Sequence, residues 1–367
     1  MKATVLTENF REGLTFVNHA VSSRSQLPIL LNFLIQAKKG ELVISATDLE
    51  IGITVNVPAK TDEEGETTVP AKTLFDLISN VTQEKLVLSL EGPLLNITGE
   101  KIKTSFSTMP AGEFPKIQSE KGEGMGVIKK EDMLLLNKVV FAASQDSGRP
   151  ALSGVLITGM GGGGTDVVAA DGYRLSLLKG FSFGSKKIEK LLLPARVIKE
   201  LLSQKNMSDE IKLFVSGENS QAIFVQDSST LVGRLIEAEF PDYAKIVPHD
   251  LSVTAIFDKN EAQNAVRICS VFARDAANVM RLTVKKDKVI FSSSASSVGE
   301  NSVEVEAKVN GEENEIAFNA RYLLDILSVM DGDSVLFEMS GPLSPGVFKE
   351  EGNKNFLHII MPIRVQG

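Results

Sequence analysis

The sequence predicts an α+β fold in which three copies of one module, each made of two helices packed on antiparallel sheets, follow one another along the chain. Three observations support this prediction: one helical segment recurs three times, a second helical segment precedes it each time, and short alternating segments lie between them. The recurring segment places Ala71, Ala195 and Ala320 in one column, with separations of 124 and 125 residues. Three such modules nearly fill the 367 residues.

The second helix of each module has the clearest pattern. Its first copy carries apolar residues at Leu74, Leu77, Ile78 and Val81, which is the spacing of one buried helix face. A proline just before the first two copies costs nothing there, because the first N–H of a helix has no partner within the helix. Two further columns are a basic residue after each alanine and an acidic residue on the solvent side: Lys72, Arg196 and Arg321, then Asp76, Glu200 and Asp325.

The first helix of each module is predicted over residues 8–22, 131–144 and 260–277, where aliphatic and small residues form a stripe. Alternating runs predict about eight strands per module, with examples at 42–45, 52–57, 86–90, 155–158, 211–215, 222–226, 289–292 and 302–309. We place the three domains at 1–120, 127–247 and 250–367, because the segments between them are rich in turn residues.

Composition excludes several classes of protein. Hydrophobic residues make up 43% and charged residues 23%, which argues against extended disorder. No apolar run is long enough to span a bilayer, no signal peptide is visible, and the single Cys269 excludes an internal disulfide and a multi-cysteine zinc site. We therefore expect a cytoplasmic protein without membrane contact. The formal charge of −8 excludes a simple basic coat for nucleic acid, although the helical segments are slightly basic.

Catalytic and metal motifs are missing from the sequence pattern. The glycine run 159–165 lacks the Gly-Lys-Ser/Thr ending of a phosphate-binding loop and joins two predicted strands, so we expect a hairpin tip. The three histidines have no metal-binding spacing, and Cys269 lies among apolar helix residues. We expect no cofactor, no metal and no catalytic residue.

A set of motifs in fixed order resembles one family over the whole chain. The motifs are 26–30 (QLPIL), 46–50 (ATDLE), 170–175 (ADGYRL), 240–243 (FPDY) and 361–364 (MPIR). Together with the triple repeat, they resemble the bacterial sliding clamps, the beta subunits of DNA polymerase III. The resemblance implies a DNA polymerase processivity factor without catalytic activity: a homodimeric ring of DNA-clamp domains, each chain forming half, that encircles duplex DNA regardless of sequence and slides along it.

The resemblance also implies a hydrophobic peptide-binding cleft between the second and third domains. Short peptides with a Gln and a terminal Leu/Phe pair would bind there, carried by the replicative polymerase, the clamp loader and repair proteins. Tyr173 and Lys245 depart from the His and Arg that are common in the family. Arg174, Lys245 and Arg364 are expected to meet partners at the rim. The implied cleft residues are Leu152, Ala170, Gly172, Tyr173, Arg174, Leu175, Pro241, Lys245, Ile246, Met361, Pro362, Ile363 and Arg364. Taken without the family, 361–364 reads as a final edge strand that completes the core.

Two further surfaces follow from the resemblance. The residues expected to contact DNA are Arg24, Arg149, Arg196 and Lys199, each of which could instead be a surface residue with local ion pairs. The dimer seam is expected to join the first domain to the end of the third domain's first helix through Thr104, Phe106, Phe272, Ala276 and Asn278. A side chain on the inner face of its own sheet is the alternative for Phe106.

Two other functions remain open at this point. One is a nucleic-acid-processing enzyme with a diffuse acidic site, against which the absence of clustered carboxylates counts. The other is a structural repeat protein that never meets DNA.

Overall fold

The same succession of elements occurs three times in the computed structural model. The structure describes residues 1–22, 25–117, 123–146, 148–160, 164–182, 190–217 and 220–364. The first repeat consists of β1 (Lys2–Leu6), α1 (Thr7–Val17), β2 (Asn32–Lys38), β3 (Glu41–Thr47), β4 (Ile51–Glu63), β5 (Gly65–Pro70), α2 (Ala71–Asn80), β6 (Lys85–Glu91), β7 (Leu94–Thr98) and β8 (Lys103–Ser107).

The second repeat has the same order, but its first helix is interrupted. It consists of β9 (Glu123–Lys129), α3 (Lys130–Leu135), α4 (Asn137–Val140), β10 (Gly154–Met160), β11 (Gly164–Ala170), β12 (Arg174–Phe181), β13 (Lys190–Pro194), α5 (Ala195–Leu202), β14 (Glu210–Ser216), β15 (Gln221–Val225) and β16 (Ser229–Arg234).

The third repeat restores a continuous first helix. It consists of β17 (Val253–Asp258), α6 (Lys259–Ala273), β18 (Val279–Val284), β19 (Lys288–Ala295), β20 (Gly299–Asn310), β21 (Asn314–Asn319), α7 (Ala320–Val329), β22 (Ser334–Met339), β23 (Gly346–Glu350) and β24 (Phe356–Ile360). Each repeat thus has eight described strands, so the α+β prediction and the predicted strands are confirmed.

The predicted first helices are longer than the observed ones. The segment 131–144 is broken because Asn137 donates its side-chain amide to the carbonyl of Leu134, 3.1 Å away, which competes with the helical pattern. In the segment 260–277 the helix ends at Ala273 and does not reach residue 277, since Ala277 and Asn278 have φ angles of +52° and +58°. A left-handed backbone cannot continue a right-handed helix. The segment 8–22 ends at Val17, where a short 3-10 turn begins.

Contacts divide the chain into two units, each with one antiparallel sheet. The first contains residues 1–131 and 196–235, and the second contains 132–182 and the chain from Ile236 onward, together with β13. The first sheet follows the order β8-β7-β6-β1-β4-β16-β15-β14-β9, with β2, β3 and β5 joined through β4. The second follows β13-β10-β11-β12-β24-β23-β22-β17-β20-β19-β18-β21. Because the second repeat is shared between the units, the predicted domain boundaries stay predictions.

The same kind of strand pair joins consecutive repeats in both sheets. In the first sheet, β4 pairs with β16, with Ile51 opposite Gly233. In the second, β12 pairs with β24, with Arg174 opposite Ile360. Each junction therefore joins the fourth strand of one repeat to the eighth strand of the next. Among the described helices, none is both long and apolar enough to cross a membrane.

Candidate functional site

The turn between β11 and β12 is held by one carboxylate. Asp171 Oδ1 accepts hydrogen bonds from the backbone N–H groups of Tyr173 (2.8 Å) and Arg174 (3.0 Å). Gly172 has a φ of +93°, which glycine adopts without strain. The turn leaves the Tyr173 side chain 58% exposed. A large amphipathic side chain therefore stands on a turn whose backbone is fixed.

The guanidinium of Arg174 lies inside the protein rather than at a rim. Its Nε donates to Asp171 Oδ2 at 3.0 Å, Nη1 to Asp325 Oδ2 at 2.5 Å, and Nη2 to the carbonyl of Phe141 at 3.0 Å. Its central carbon lies 4.4 Å from the ring centroid of Tyr322 and 5.3 Å from that of Phe141. The side chain is 10% exposed. The expectation that Arg174 meets partners at the rim is therefore not supported, because its guanidinium donates three hydrogen bonds within the protein.

The segment after β24, residues 361–364, lies beside the same turn. The turn and this segment are the two walls of the candidate site. Met361 N–H donates to the carbonyl of Tyr173 (2.8 Å), and Ile363 N–H donates to the carbonyl of Ala317 (2.8 Å). Met361, Pro362 and Ile363 are half-buried and the described side chain of Arg364 is exposed, whereas every residue of β24 is buried. The segment therefore does not simply extend the buried strand.

An apolar cluster adjoins both segments, because it contains Ala170 and Leu175 on either side of the turn and Ile359 near the end of β24. Ala170 and Leu175 are buried in a cluster with Phe240, and Leu152 and Ile246 pack on it while remaining partly exposed. Pro241 and Lys245 are exposed and are chain neighbours of Phe240 and Ile246, respectively. Lys245 Nζ lies 3.1 Å from Asp242 Oδ2. All thirteen predicted cleft residues lie in the second unit.

Sequence reasoning missed four residues that shape this site: Phe141, Tyr243, Tyr322 and Asp325. Tyr243 packs on the apolar cluster and donates its hydroxyl to Asp166 Oδ2 at 3.0 Å. Burial and the neighbouring Asp166 carboxylate raise the pKa of this phenol. The repeat offered one signal, because Asp325 shares an acidic column with Asp76 and Glu200.

The residues expected to contact DNA differ in how much of their charge is engaged. Arg24 lies outside the described residues. Arg149 has a side chain 51% exposed, with Nε 3.8 Å from Asp146. Arg196 pairs with Asp48 and donates Nη2 to the carbonyl of His19 at 2.9 Å, so much of its hydrogen-bonding capacity is used locally. Lys199 is exposed on α5.

The residues expected at a dimer seam occupy the edge of one sheet and the end of α6. Phe106 on β8 is 7% exposed in the single chain and lies opposite the buried Leu95 on β7. This position agrees with the alternative that Phe106 belongs to the inner face of its own sheet. Thr104, on the same strand, is half-buried. At the end of α6, the half-buried side chains are Phe272, Ala276 and Asn278.

Within the described ranges, no group of three or more His, Cys, Asp or Glu side chains could hold a metal ion. His19 contacts both Glu200 and Ser203 through the same Nδ1 atom, so the three cannot relay a proton from the serine to the acid across the ring. Burial raises the pKa of the Cys269 thiol to about 11.

Family models of the DNA polymerase III beta subunit match the chain in three consecutive parts. The N-terminal domain model matches residues 1–118, the central domain model 128–242 and the C-terminal domain model 244–364. Among curated proteins, the beta sliding clamp of Caulobacter vibrioides is 28% identical over 374 residues and that of Staphylococcus aureus is 27% identical over 383. The alignments cover 100% and 99% of both chains, respectively.

Solved structures give the same result. The DNA polymerase III beta subunit of Thermotoga maritima is 27% identical, with a TM-score of 0.91 and complete coverage of both chains. The beta sliding clamp of Caulobacter crescentus is 28% identical, with a TM-score of 0.92 and coverage of 100% of this chain and 99% of that one. Together with the three family models, these similarities show that the chain belongs to the DNA polymerase III beta subunit family, the bacterial beta sliding clamps.

Proposed function

We propose that the protein is a non-catalytic processivity factor that acts in the cytoplasm as a homodimeric ring. The ring encircles duplex DNA and tethers the replicative polymerase through the apolar surface described above. The observation that carries this proposal is the strand pairing between repeats, which occurs twice in one chain. Among the described strands, β8 of the first repeat and β20 of the third lack the corresponding junction partner.

The two open strand edges correspond to the two sides of the junctions already formed within the chain. Residues 52–55 of β4 pair with β3 on one side and with β16 on the other, and residues 175–178 of β12 pair in the same way with β11 and β24. In the third repeat, residues 299–303 of β20 pair with β19, and no other described strand pairs with them. Likewise β8, the eighth strand of the first repeat, pairs only with β7 among the described strands. The third junction of the series is therefore complete when β8 of a second chain pairs with β20.

Exposed apolar side chains support this position for the seam. Ile268 and Val271 on α6 are 40% and 58% exposed, and Val298, directly before β20, is 52% exposed. Phe272 approaches the start of β20, with a ring carbon 3.9 Å from where a Cβ of Gly299 would lie. Burying such a patch against a second chain stabilises association by the hydrophobic effect. Two identical junctions formed head to tail close the pair, so that β8 and β20 of each chain both gain a partner strand.

Encirclement explains how an acidic protein remains on DNA. A closed ring is held by topology, so a few contacts between exposed cations and phosphates suffice and the protein can still slide. We assign those contacts to Arg24, Arg149 and Lys199, with Arg196 acting mainly in its local ion pairs. Contacts to phosphates carry no sequence information, which fits sequence-independent binding.

Partner binding is assigned to the apolar surface between the turn at Tyr173 and the segment at Met361. The polymerase, the clamp loader and repair proteins would each insert a short peptide, with apolar side chains on Leu152 and Ile246 and polar contacts at Lys245 and Arg364. A bound tether raises the effective concentration of the polymerase at the primer end, so that release of one contact does not end synthesis. The similar clamp of Caulobacter crescentus holds polyethylene glycol at a region proposed for tethering of a beta motif.

Retention on circular DNA tests this function. The protein is assembled on nicked circular DNA with a clamp loader, and the bound fraction is measured by gel filtration before and after the circle is cut. We expect retention on the circle and loss from the linear form, because only a ring slides off free ends. Equal retention on both forms would contradict encirclement, and degradation of labelled DNA in the presence of Mg²⁺ would support a nuclease instead.

A further inference from the structure

We propose that Asp325 is a positioning residue for the peptide-binding surface, acting through Arg174 on the turn that carries Tyr173. This inference rests on the proposed function of that surface and adds a residue that does not line it. Asp325 lies on α7, in the third repeat, while the turn belongs to the second. Its carboxylate reaches Arg174 Nη1 at 2.5 Å across 151 residues of sequence.

A chain of contacts leads from α7 to the exposed tyrosine. Asp325 holds one end of the Arg174 guanidinium, whose Nε holds Asp171 Oδ2 at 3.0 Å. The other oxygen of Asp171 accepts the N–H groups of Tyr173 and Arg174. The carbonyl of Tyr173 then accepts Met361 N–H at 2.8 Å, which fixes the distance between the two walls. The orientation of both walls thus depends on the guanidinium.

The first junction shows that this arrangement is not simply what the fold requires. There Asp48 caps the equivalent turn by accepting the N–H groups of Glu50 (3.0 Å) and Ile51 (2.9 Å). Its cation, Arg196, comes directly from the helix α5. At the second junction the cation comes from the strand, as Arg174, and the helix supplies an acid, Asp325. Both junctions thus place a helical acid near the cation, but Glu200 lies 3.8 Å from an arginine of its own helix, whereas Asp325 anchors an arginine of the strand.

Asp325 can be changed without removing the rest of the network. Its side chain is 46% exposed, so the carboxylate is not a buried charge whose loss leaves a cavity. Without it, Arg174 keeps Asp171 and the carbonyl of Phe141, but one end of the guanidinium has no fixed partner. A guanidinium free to tilt relaxes Asp171 and, through it, Tyr173. We therefore expect weaker peptide binding with little change in stability.

The test compares Asp325→Asn with a matched control, Glu315→Gln. Glu315 is 49% exposed and pairs with Arg281 at 3.1 Å on β18 and β21, so Glu315→Gln removes a carboxylate of similar exposure from an ion pair away from the site. The probe is a fluorescent peptide with an internal Gln and a terminal Leu-Phe pair, titrated by anisotropy against the full chain. We expect Asp325→Asn to weaken binding about three- to tenfold, mostly through faster dissociation, and Glu315→Gln to leave it unchanged. Thermal midpoint and solution mass should be the same for both variants.

A conservative variant and a double variant separate positioning from general weakening. Asp325→Glu retains the charge and should recover part of the affinity. In an Arg174→Met background, Asp325→Asn should have no further effect, because the residue through which it acts is gone. Equal affinities of the native chain and Asp325→Asn would overturn the inference while leaving the cleft in place. No binding by the native chain would overturn the cleft and the inference together.

Discussion

Replacing Lys138 with methionine should remove about 3–5 kcal/mol from the free energy of unfolding of the second unit. The Lys138 ammonium on α4 lies 2.6 Å from Glu350 Oε1 and 2.7 Å from Asp331 Oδ2. The side chains of Lys138 and Glu350 are 7% and 8% exposed, whereas that of Asp331 is 77% exposed. Methionine keeps the apolar stem but leaves the Glu350 carboxylate buried without its cation.

The magnitude follows from the partners that Glu350 keeps. Asp331 N–H and the side-chain amide of Asn353 still donate to it, at 2.9 and 2.7 Å, but both donors are neutral. Burial alone would raise the pKa of Glu350. The hydrogen bonds from Lys138, Asp331 N–H and Asn353, together with the positive charge of Lys138, outweigh burial and lower this pKa. Burial alone would lower the pKa of Lys138, and its two carboxylate partners raise it. The pair is therefore ionised in the folded chain, and removing one charge leaves the other buried without a counter-charge.

Urea denaturation of the full chain at pH 7, followed by circular dichroism, measures the loss. The control is Lys285→Met, which removes an ion pair with Glu313 that is 2.8 Å long and about half exposed; we expect it to cost less than about 1 kcal/mol. The double variant Lys138→Met/Glu350→Leu should recover much of the stability, since no unpaired charge remains. A loss for Lys138→Met no larger than that of the control would refute this reasoning.

Three further outcomes are expected. His358 is fully buried, with Nδ1 2.7 Å from Ser176 Oγ, and burial holds its pKa well below 6.5. Because the unfolded chain binds a proton there and the folded chain does not, stability should fall by up to about 1.4 kcal/mol per pH unit below pH 6.5. Urea midpoints at pH 7 and pH 5 check this, and an equal pH dependence in His358→Leu would contradict it. Val271→Asp should shift sedimentation towards the monomer, since it places a charge in the apolar patch of the proposed seam; an unchanged dimer would remove Val271 from that seam. Cys269 should react slowly with an alkylating reagent at pH 8, because a thiol with a pKa of about 11 is protonated; rapid modification of the native chain would contradict its burial.

The repeat and its strands could be predicted because they depend on local pattern. The spacing of Leu74 and Ile78 marks a buried helix face, and both residues are fully buried on α2. Alternating runs likewise mark strands with one face in the core. The ends of the first helices could not be predicted in the same way, since Asn137 and Asn278 act through side-chain capping and a left-handed backbone.

The site was only partly predictable, because its geometry depends on partners far away in sequence. The family resemblance identified the turn, the apolar surface and the segment 361–364, all of which lie in one unit. It could not show that Arg174 is engaged by Asp325, 151 residues away, or that Lys138 pairs with Glu350 across 212 residues. Phe106 likewise has its own sheet as a partner, and no pattern within β8 distinguishes that from a seam.

The most direct test of the central claim is the mass and shape of the native protein in solution, measured by light scattering and small-angle X-ray scattering. If the open edges of β8 and β20 pair between chains, the particle has twice the chain mass of 39.7 kDa, and its scattering profile is that of a ring with a central hole. A monomer at micromolar concentration, or a dimer whose profile is that of a solid or open particle, would contradict the account.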